Sequence, residues 1–261
     1  GYYMILRGTV FSNILQMETG ISIITPHVLL PQKYKVVYLL HGIGGNHEKW
    51  VNHSMLPFYA KNGNTIFIMP EVARSFYTDM KYGFCYFTYI TEELPEICKN
   101  LFSISAKRED TAIAGVSMGG YGALKAAFSK PELYGKCAAF SSACLFLKKA
   151  LEEQKKYGIQ KEFIERYGKQ LYVDFQAILG EDLHWKPEHE LLELAKKCEE
   201  KKQKPQIYMA CGTEDSFYKE NTIFYEKLKE LSFDVTYESW EGNHDFLFFD
   251  TALKKAIENF L

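Results

Sequence analysis

The sequence lacks any long apolar run. No hydrophobic stretch approaches the roughly 20 residues that span a bilayer, so no membrane partner is expected. Its six cysteines form no C-x-x-C pair and no zinc-ligand spacing. That excludes a redox or zinc motif and leaves free, buried thiols in a reducing compartment, as in Lys136-Cys137-Ala138-Ala139-Phe140. Net charge is nearly absent, at −2, so no strong field draws the chain to nucleic acid or anionic lipid. Residues 1–25 show no apolar core followed by a small-residue cleavage site, which points to a cytoplasmic protein. Internal repeats and low-complexity tracts are missing too.

What remains is an ordinary globular composition. Of 261 residues, 47% are hydrophobic and 25% charged. This length suits one domain, 1–261, of an α/β type. Aromatics at 15% fit a thick core and an aromatic-lined pocket.

Residues 8–17 and 20–26 alternate and read as two strands joined at Thr19-Gly20. Val36–Leu40, Thr65–Met69 and Thr111–Val116 are continuous apolar runs, the signature of strands buried on both faces of a parallel sheet. Residues 136–141, 207–211 and 235–240 supply three further strands. Helical spacing falls between them at 86–101, 118–129, 217–231 and 245–260. Strand alternating with helix predicts a mostly parallel central sheet with helices on both faces. Residues 145–203 break the rhythm. They are charged and helical, and are either solvated helices beside the sheet or a lid over the site.

Gly115-Val116-Ser117-Met118-Gly119 fits G-x-S-x-G between an apolar strand and an Ala-rich helix. Such a turn holds the nucleophile in a strained backbone, and small flanking residues let the chain approach itself closely. It lifts the Ser117 hydroxyl out of the sheet, and the pattern is that of an α/β-hydrolase. A serine hydroxyl needs a base. Seven histidines exist, but in the order serine, acid, histidine only His184, His189 and His244 qualify. The first two sit in the charged insertion and read as surface residues. His244 follows the last strand, at the edge where such sheets place their chemistry, and is the expected general base. The acid should end the preceding strand. Asp215 is the choice there and Glu214 the alternative. Asp245 reads as an acid at a helix N-terminus.

Charge developing on a carbonyl oxygen needs preorganised donors. The N–H of Met118 is one. The glycine-rich loop His41-Gly42-Ile43-Gly44-Gly45-Asn46 offers a second at Ile43. His41 itself reads as structural. Asn46 and Trp50 either shape the pocket or pin this loop. Arg74 and Phe76, in Arg74-Ser75-Phe76-Tyr77 after the second central strand, either line the pocket or, through the two aromatics, pack the loop.

Leu39-Leu40-His41-Gly42 with Gly45-Asn46 and Trp50, Met69-Pro70-Glu71 with Arg74 to Met80, and Glu92-Glu93-Leu94-Pro95 resemble the tributyrin-esterase branch of the esterase D group. Ala114 to Ala123, Gly212-Thr213-Glu214-Asp215 and Gly242-Asn243-His244-Asp245 extend the resemblance over residues 8–260. It implies a carboxylesterase acting on short acyl esters, with Ser117, Asp215 and His244 as the triad and Ile43 and Met118 as oxyanion donors. The wider group includes acetyl-xylan and feruloyl esterases, S-formylglutathione hydrolases and mycolyltransferases. The expected partner is therefore a small ester or an acylated oligosaccharide, and homo-oligomerisation is left open. No metal or organic cofactor is required by this chemistry. The other classes are an acyltransferase using the same acyl-enzyme, and a binding protein on an inactive scaffold.

Overall fold

The computed structural model describes residues 2–27, 32–157 and 161–261; the side chains of residues 154, 156, 157 and 161–167 are also left aside. Among the described residues eight strands form one sheet: β1 (Ile5–Ser12), β2 (Met17–Ile24), β3 (Lys35–Leu40), β4 (Thr65–Pro70), β5 (Thr111–Val116), β6 (Lys136–Phe140), β7 (Gln206–Gly212) and β8 (Val235–Trp240). Their order is β1-β2-β4-β3-β5-β6-β7-β8. The β1–β2 and β2–β4 pairs are antiparallel, and the remaining pairs parallel.

The central strands β3 to β7 are apolar beyond their first residue because both faces are covered. On β3, Val36, Tyr38 and Leu40 enter one core, while Val37 and Leu39 enter the other. The short helices α1 (Lys49–His53) and α2 (Leu56–Tyr59) cover the second face together with the last helix, α10 (Phe246–Asn259). The first face receives α3 (Tyr86–Thr88), a π turn at Tyr89–Glu93, α4 (Leu94–Leu101), α5 (Met118–Ser129), α8 (Leu191–Glu200) and α9 (Tyr218–Glu230). At the sheet's rim the alternation returns, and the outward residues Ile5, Arg7, Thr9 and Phe11 of β1 are exposed.

The first hairpin differs from expectation. The turn falls at residues 13–16, where Gln16 has φ 57°. Thr19 and Gly20 lie inside β2, paired with Val10 and Thr9. Gly20 is small for another reason: a Cβ there would sit 2.1 Å from the His47 ring. A glycine inside a strand marks close approach as often as a turn.

The insertion at 145–203 contains α6 (Leu147–Tyr157), α7 (Lys161–Leu179) and α8. Its residues 158–160 lie outside the described residues. Leu191, Leu194, Ala195 and Cys198 of α8 are buried in the first core. No disulfide links the cysteines; Cys98, Cys137, Cys198 and Cys211 are buried as expected, Cys144 is partly buried, and Cys85 is exposed. Among the described residues no helix is long and apolar enough to cross a membrane.

Candidate active site

Ser117 stands between β5 and α5 with φ 57° and ψ −116°. For a residue with a Cβ this backbone costs on the order of 1–3 kcal/mol and persists only where the surroundings enforce it. The enforcement is visible. Ser117 N–H donates to the Phe140 carbonyl (2.9 Å), and the Ser117 carbonyl accepts from Gly120 (2.9 Å), Tyr121 (3.2 Å) and Ala143 (3.1 Å). The glycines of the motif serve the same turn. A Cβ on Gly115 would lie 2.2 Å from the Gly119 oxygen, and one on Gly119 would lie 2.6 Å from the Leu40 oxygen. Strand, helix and the loop after β3 therefore meet backbone to backbone.

His244 lies in the loop between β8 and α10. Its Nε2 is 3.0 Å from Ser117 Oγ, and its Nδ1 is 2.6 Å from Asp215 Oδ2. The carboxylate accepts at Nδ1, which fixes that nitrogen as the N–H donor and leaves Nε2 to accept the serine proton. The Asp215 side chain is fully buried, whereas that of His244 is 33% exposed. Asp215 Oδ1 also accepts the Phe217 N–H at 2.8 Å. The rings of Phe217 and Phe249 meet the imidazole edge to face, at 5.2 and 5.0 Å between centroids. They close off rotation of the ring without competing for its protons.

The geometry separates the two adjacent carboxylates. Glu214 does not reach His244. Its Oε2 accepts the Gly242 N–H (2.7 Å) and the Thr213 hydroxyl (2.8 Å). Those bonds hold its carboxyl below the usual carboxylate range. Glu214 thus ties the loop that carries His244, a role sequence reasoning missed. The hint was the pairing of Gly212 with Gly242: a Cβ on Gly212 would be 2.3 Å from the Gly242 oxygen. Asp245 caps α10, accepting the Phe248 N–H.

The loop after β3 lies beside the nucleophile. A Cβ on Gly42 would be 3.5 Å from that of Ser117. Among the described residues the N–H groups of Ile43 and Met118 have no hydrogen-bond partner. His41 is structural: its Nδ1–H donates to the Gly42 carbonyl (2.7 Å), and Val72 N–H donates to its Nε2 (3.0 Å). Burial lowers its pKa, which keeps it neutral. The Tyr77 hydroxyl donates to the His41 carbonyl at 2.7 Å.

The four residues expected to touch substrate are placed differently. Trp50 is 1% exposed. Its indole N–H donates to the Leu40 carbonyl at 3.0 Å, and its ring packs on Phe140 and Phe246. It pins the loop from inside the fold, the second of its two expected roles. Asn46 is exposed, and its Oδ1 accepts the Glu48 N–H, shaping the entry to α1. Phe76 is buried between Tyr121 and Phe175 and belongs to the core instead of the pocket surface. An aromatic after a central strand satisfies either place, so its sequence position did not decide. Arg74 is part-exposed and pairs with Asp174 of α7 at 2.8 Å. His184 is exposed as expected, but His189 is not a surface residue: it is buried, facing Lys125.

A hydroxyl, an imidazole and a carboxylate linked in that order, at the C-terminal ends of parallel strands, define a serine hydrolase of the α/β-hydrolase fold. Known proteins agree. Residues 12–260 match the family described as "Putative esterase". An acetyl esterase of Caldicellulosiruptor saccharolyticus is 31% identical, over 97% of this chain and 97% of that protein. The substrate-bound fluorophosphonate-binding serine hydrolase F of Staphylococcus aureus superposes with a TM-score of 0.84 at 26% identity, covering 99% of this chain and 98% of that one. The S-formylglutathione hydrolase of the same organism gives 0.82 at 25% identity, with coverage of 99% and 98%. The chain belongs to this esterase family and is a serine esterase.

Proposed function

We propose that the protein hydrolyses short-chain acyl esters, acetyl esters foremost, through an acyl-enzyme on Ser117. The observation that carries this reading is the relay Ser117 Oγ to His244 Nε2 (3.0 Å) and His244 Nδ1 to Asp215 Oδ2 (2.6 Å). His244 takes the hydroxyl proton as Ser117 Oγ attacks the ester carbonyl. The N–H groups of Ile43 and Met118 stabilise the oxyanion. His244 then gives its proton to the leaving alcohol. Water, activated by the same imidazole, attacks the acyl-enzyme and releases the acid. Asp215 holds the ring and balances its charge. The cycle requires neutral His244 at the start.

The acetyl preference rests on the acetyl esterase at 31% identity. Hydrolysis is favoured over acyl transfer because the His244 side chain is one-third open to solvent, which lets water reach the intermediate. The chain acts as one domain, onto which residues 145–203 pack through the Arg74–Asp174 pair and the Phe76–Phe175 contact. Its free thiols, four of them buried, suit a reducing cytoplasm.

The test has two parts. A fluorophosphonate probe should label the protein and not Ser117→Ala. Rates on p-nitrophenyl acetate, acetylated xylo-oligosaccharide, methyl ferulate and S-formylglutathione then rank the substrates. Turnover of methyl ferulate or S-formylglutathione without turnover of acetates would sink the short-acyl reading.

A further inference from the structure

A second concave site lies away from Ser117. It is a cavity of about 820 Å³ between α5, the residue 79–87 segment, the end of α7 and α8. Ser117 does not line it. Five lysines do: Lys81, Lys125, Lys186, Lys197 and Lys201. Among the described residues none of the five has a carboxylate within ion-pair distance. Phe87, Phe128, Ile178 and Leu179 give it an apolar wall.

Lys125 is the centre of the argument. It points from α5 and is only 3% exposed. Its ammonium donates to Thr78 Oγ1 (2.9 Å) and His189 Nδ1 (3.2 Å), and it lies 5.1 Å from the Phe87 ring centroid. Neither hydrogen-bond acceptor brings negative charge. Burial and the neighbouring Lys125 and Lys186 lower the pKa of His189 to about 3, so its imidazole stays neutral. Asp79 and Glu188 act on the ammonium through space, but neither comes within ion-pair distance of it. Asp79 accepts from the Thr88 N–H (2.9 Å) and hydroxyl (2.7 Å), and Glu188 lies 3.8 Å from His189 Nε2. Asp182 completes the acids of the wall. Taking a lone ammonium out of water is costly, and nothing in the relay at Ser117 uses it. Along α5 it lies roughly 12 Å from the nucleophile at 1.5 Å per residue.

We propose that this cavity is a second binding site, for a small organic anion whose phosphate, sulfate or carboxylate group sits on Lys125 and the rim lysines. Its apolar body lies against Phe87 and Phe128. The cavity is much larger than one inorganic oxyanion, which is why an organic carrier is inferred. A ligand here touches both α5 and the insertion, and so joins the catalytic body to residues 145–203.

The experiment is calorimetry with phenyl phosphate, inorganic phosphate and phenol. Phenyl phosphate is expected to bind one site per chain at millimolar or lower concentration, more tightly than inorganic phosphate, with no binding of phenol. Binding should persist when Ser117 carries a fluorophosphonate. Lys125→Met should weaken it about tenfold or more, the usual size of a lost charge-assisted contact. Wild-type affinity should fall from pH 7 to pH 9 as Lys125 gives up its proton, facing Asp79, Glu188, Lys186 and neutral His189. Should Lys125→Met fail to fold, the exposed-side double variant Lys197→Glu with Lys201→Glu decides, with several-fold weakening expected. Absence of saturable binding, equal affinity for inorganic phosphate, loss on blocking Ser117, or indifference to both variants each overturns the proposal.

Discussion

Replacing Asp215 by asparagine tests the relay at its least accessible member. Oδ1 of Asp215 accepts the Phe217 N–H at 2.8 Å, so the amide oxygen of an asparagine takes that position. The amide NH2 then occupies the place of Oδ2 and faces His244 Nδ1, now 2.6 Å from a carboxylate oxygen. Two donors cannot meet, so the ring adopts the tautomer with its proton on Nε2. That nitrogen no longer accepts from Ser117. A triad acid changed in this way costs about 10⁴ in kcat, or about 5 kcal/mol of barrier. KM should change little, because Asp215 touches no substrate. Glu214→Gln is the matched control. Its amide oxygen can still accept the Gly242 N–H, so a loss of no more than a few-fold is expected. Steady-state rates on p-nitrophenyl acetate, with circular dichroism to confirm folding, read both. If Asp215→Asn keeps more than about a tenth of wild-type kcat, or Glu214→Gln loses as much as Asp215→Asn, the assignment of the acid is wrong.

Gly119→Ala places a methyl 2.6 Å from the Leu40 oxygen and 2.7 Å from the His41 oxygen; thermal melts should show a loss of about 1–3 kcal/mol, with kcat falling at least as sharply because the oxyanion loop is pushed away. Trp50→Phe removes the indole bond to Leu40 and should cost about 1 kcal/mol for that bond plus the unfilled volume; kinetics should show kcat falling more than KM rises. Lys125 has its pKa lowered from 10.5 to about 7 by burial, so between those values the unfolded chain holds a proton that the folded chain lacks, and stability rises with pH. The cost is full below pH 7 and relieved as pH climbs to about 10.5. Lys125→Met should therefore be more stable than wild type at pH 6, by up to several kcal/mol, and the difference should shrink toward pH 10. Denaturant melts across that range check it, and a gap that widens with pH refutes the burial argument.

The sheet was legible because its central strands are buried on both faces. An unbroken apolar run as short as Thr111–Val116, bounded by polar residues, suits a doubly covered strand better than a helix. The rim was harder to read. Thr19-Gly20 carries the composition of a turn, yet Gly20 is needed inside β2 to admit the His47 ring. The real turn at residues 13–16 has no glycine to mark it, and Gln16 takes the positive φ instead. Composition reports what a residue permits, and only packing reports which permission is used.

The same distinction governs the site. Ser117, Asp215 and His244 were readable because each closes a strand, and strand ends in a parallel sheet converge on one edge. Positions defined by topology can be found from the order of elements alone. Trp50 and Phe76 are defined by the direction in which a side chain points, and a one-residue change in a loop reverses that. Hence each kept two readings, pocket or packing, until the structure placed both inside the fold. Lys125 is the extreme case. It sits in an Ala-rich helix with the look of a solvated lysine, and its burial arises from His189, 64 residues away, folding over it. No local pattern announces such a pairing, because the charge becomes unusual only when the insertion packs on α5. A search for function in this chain is therefore best directed at polar side chains that the insertion buries, since these are the groups whose chemistry the sequence conceals.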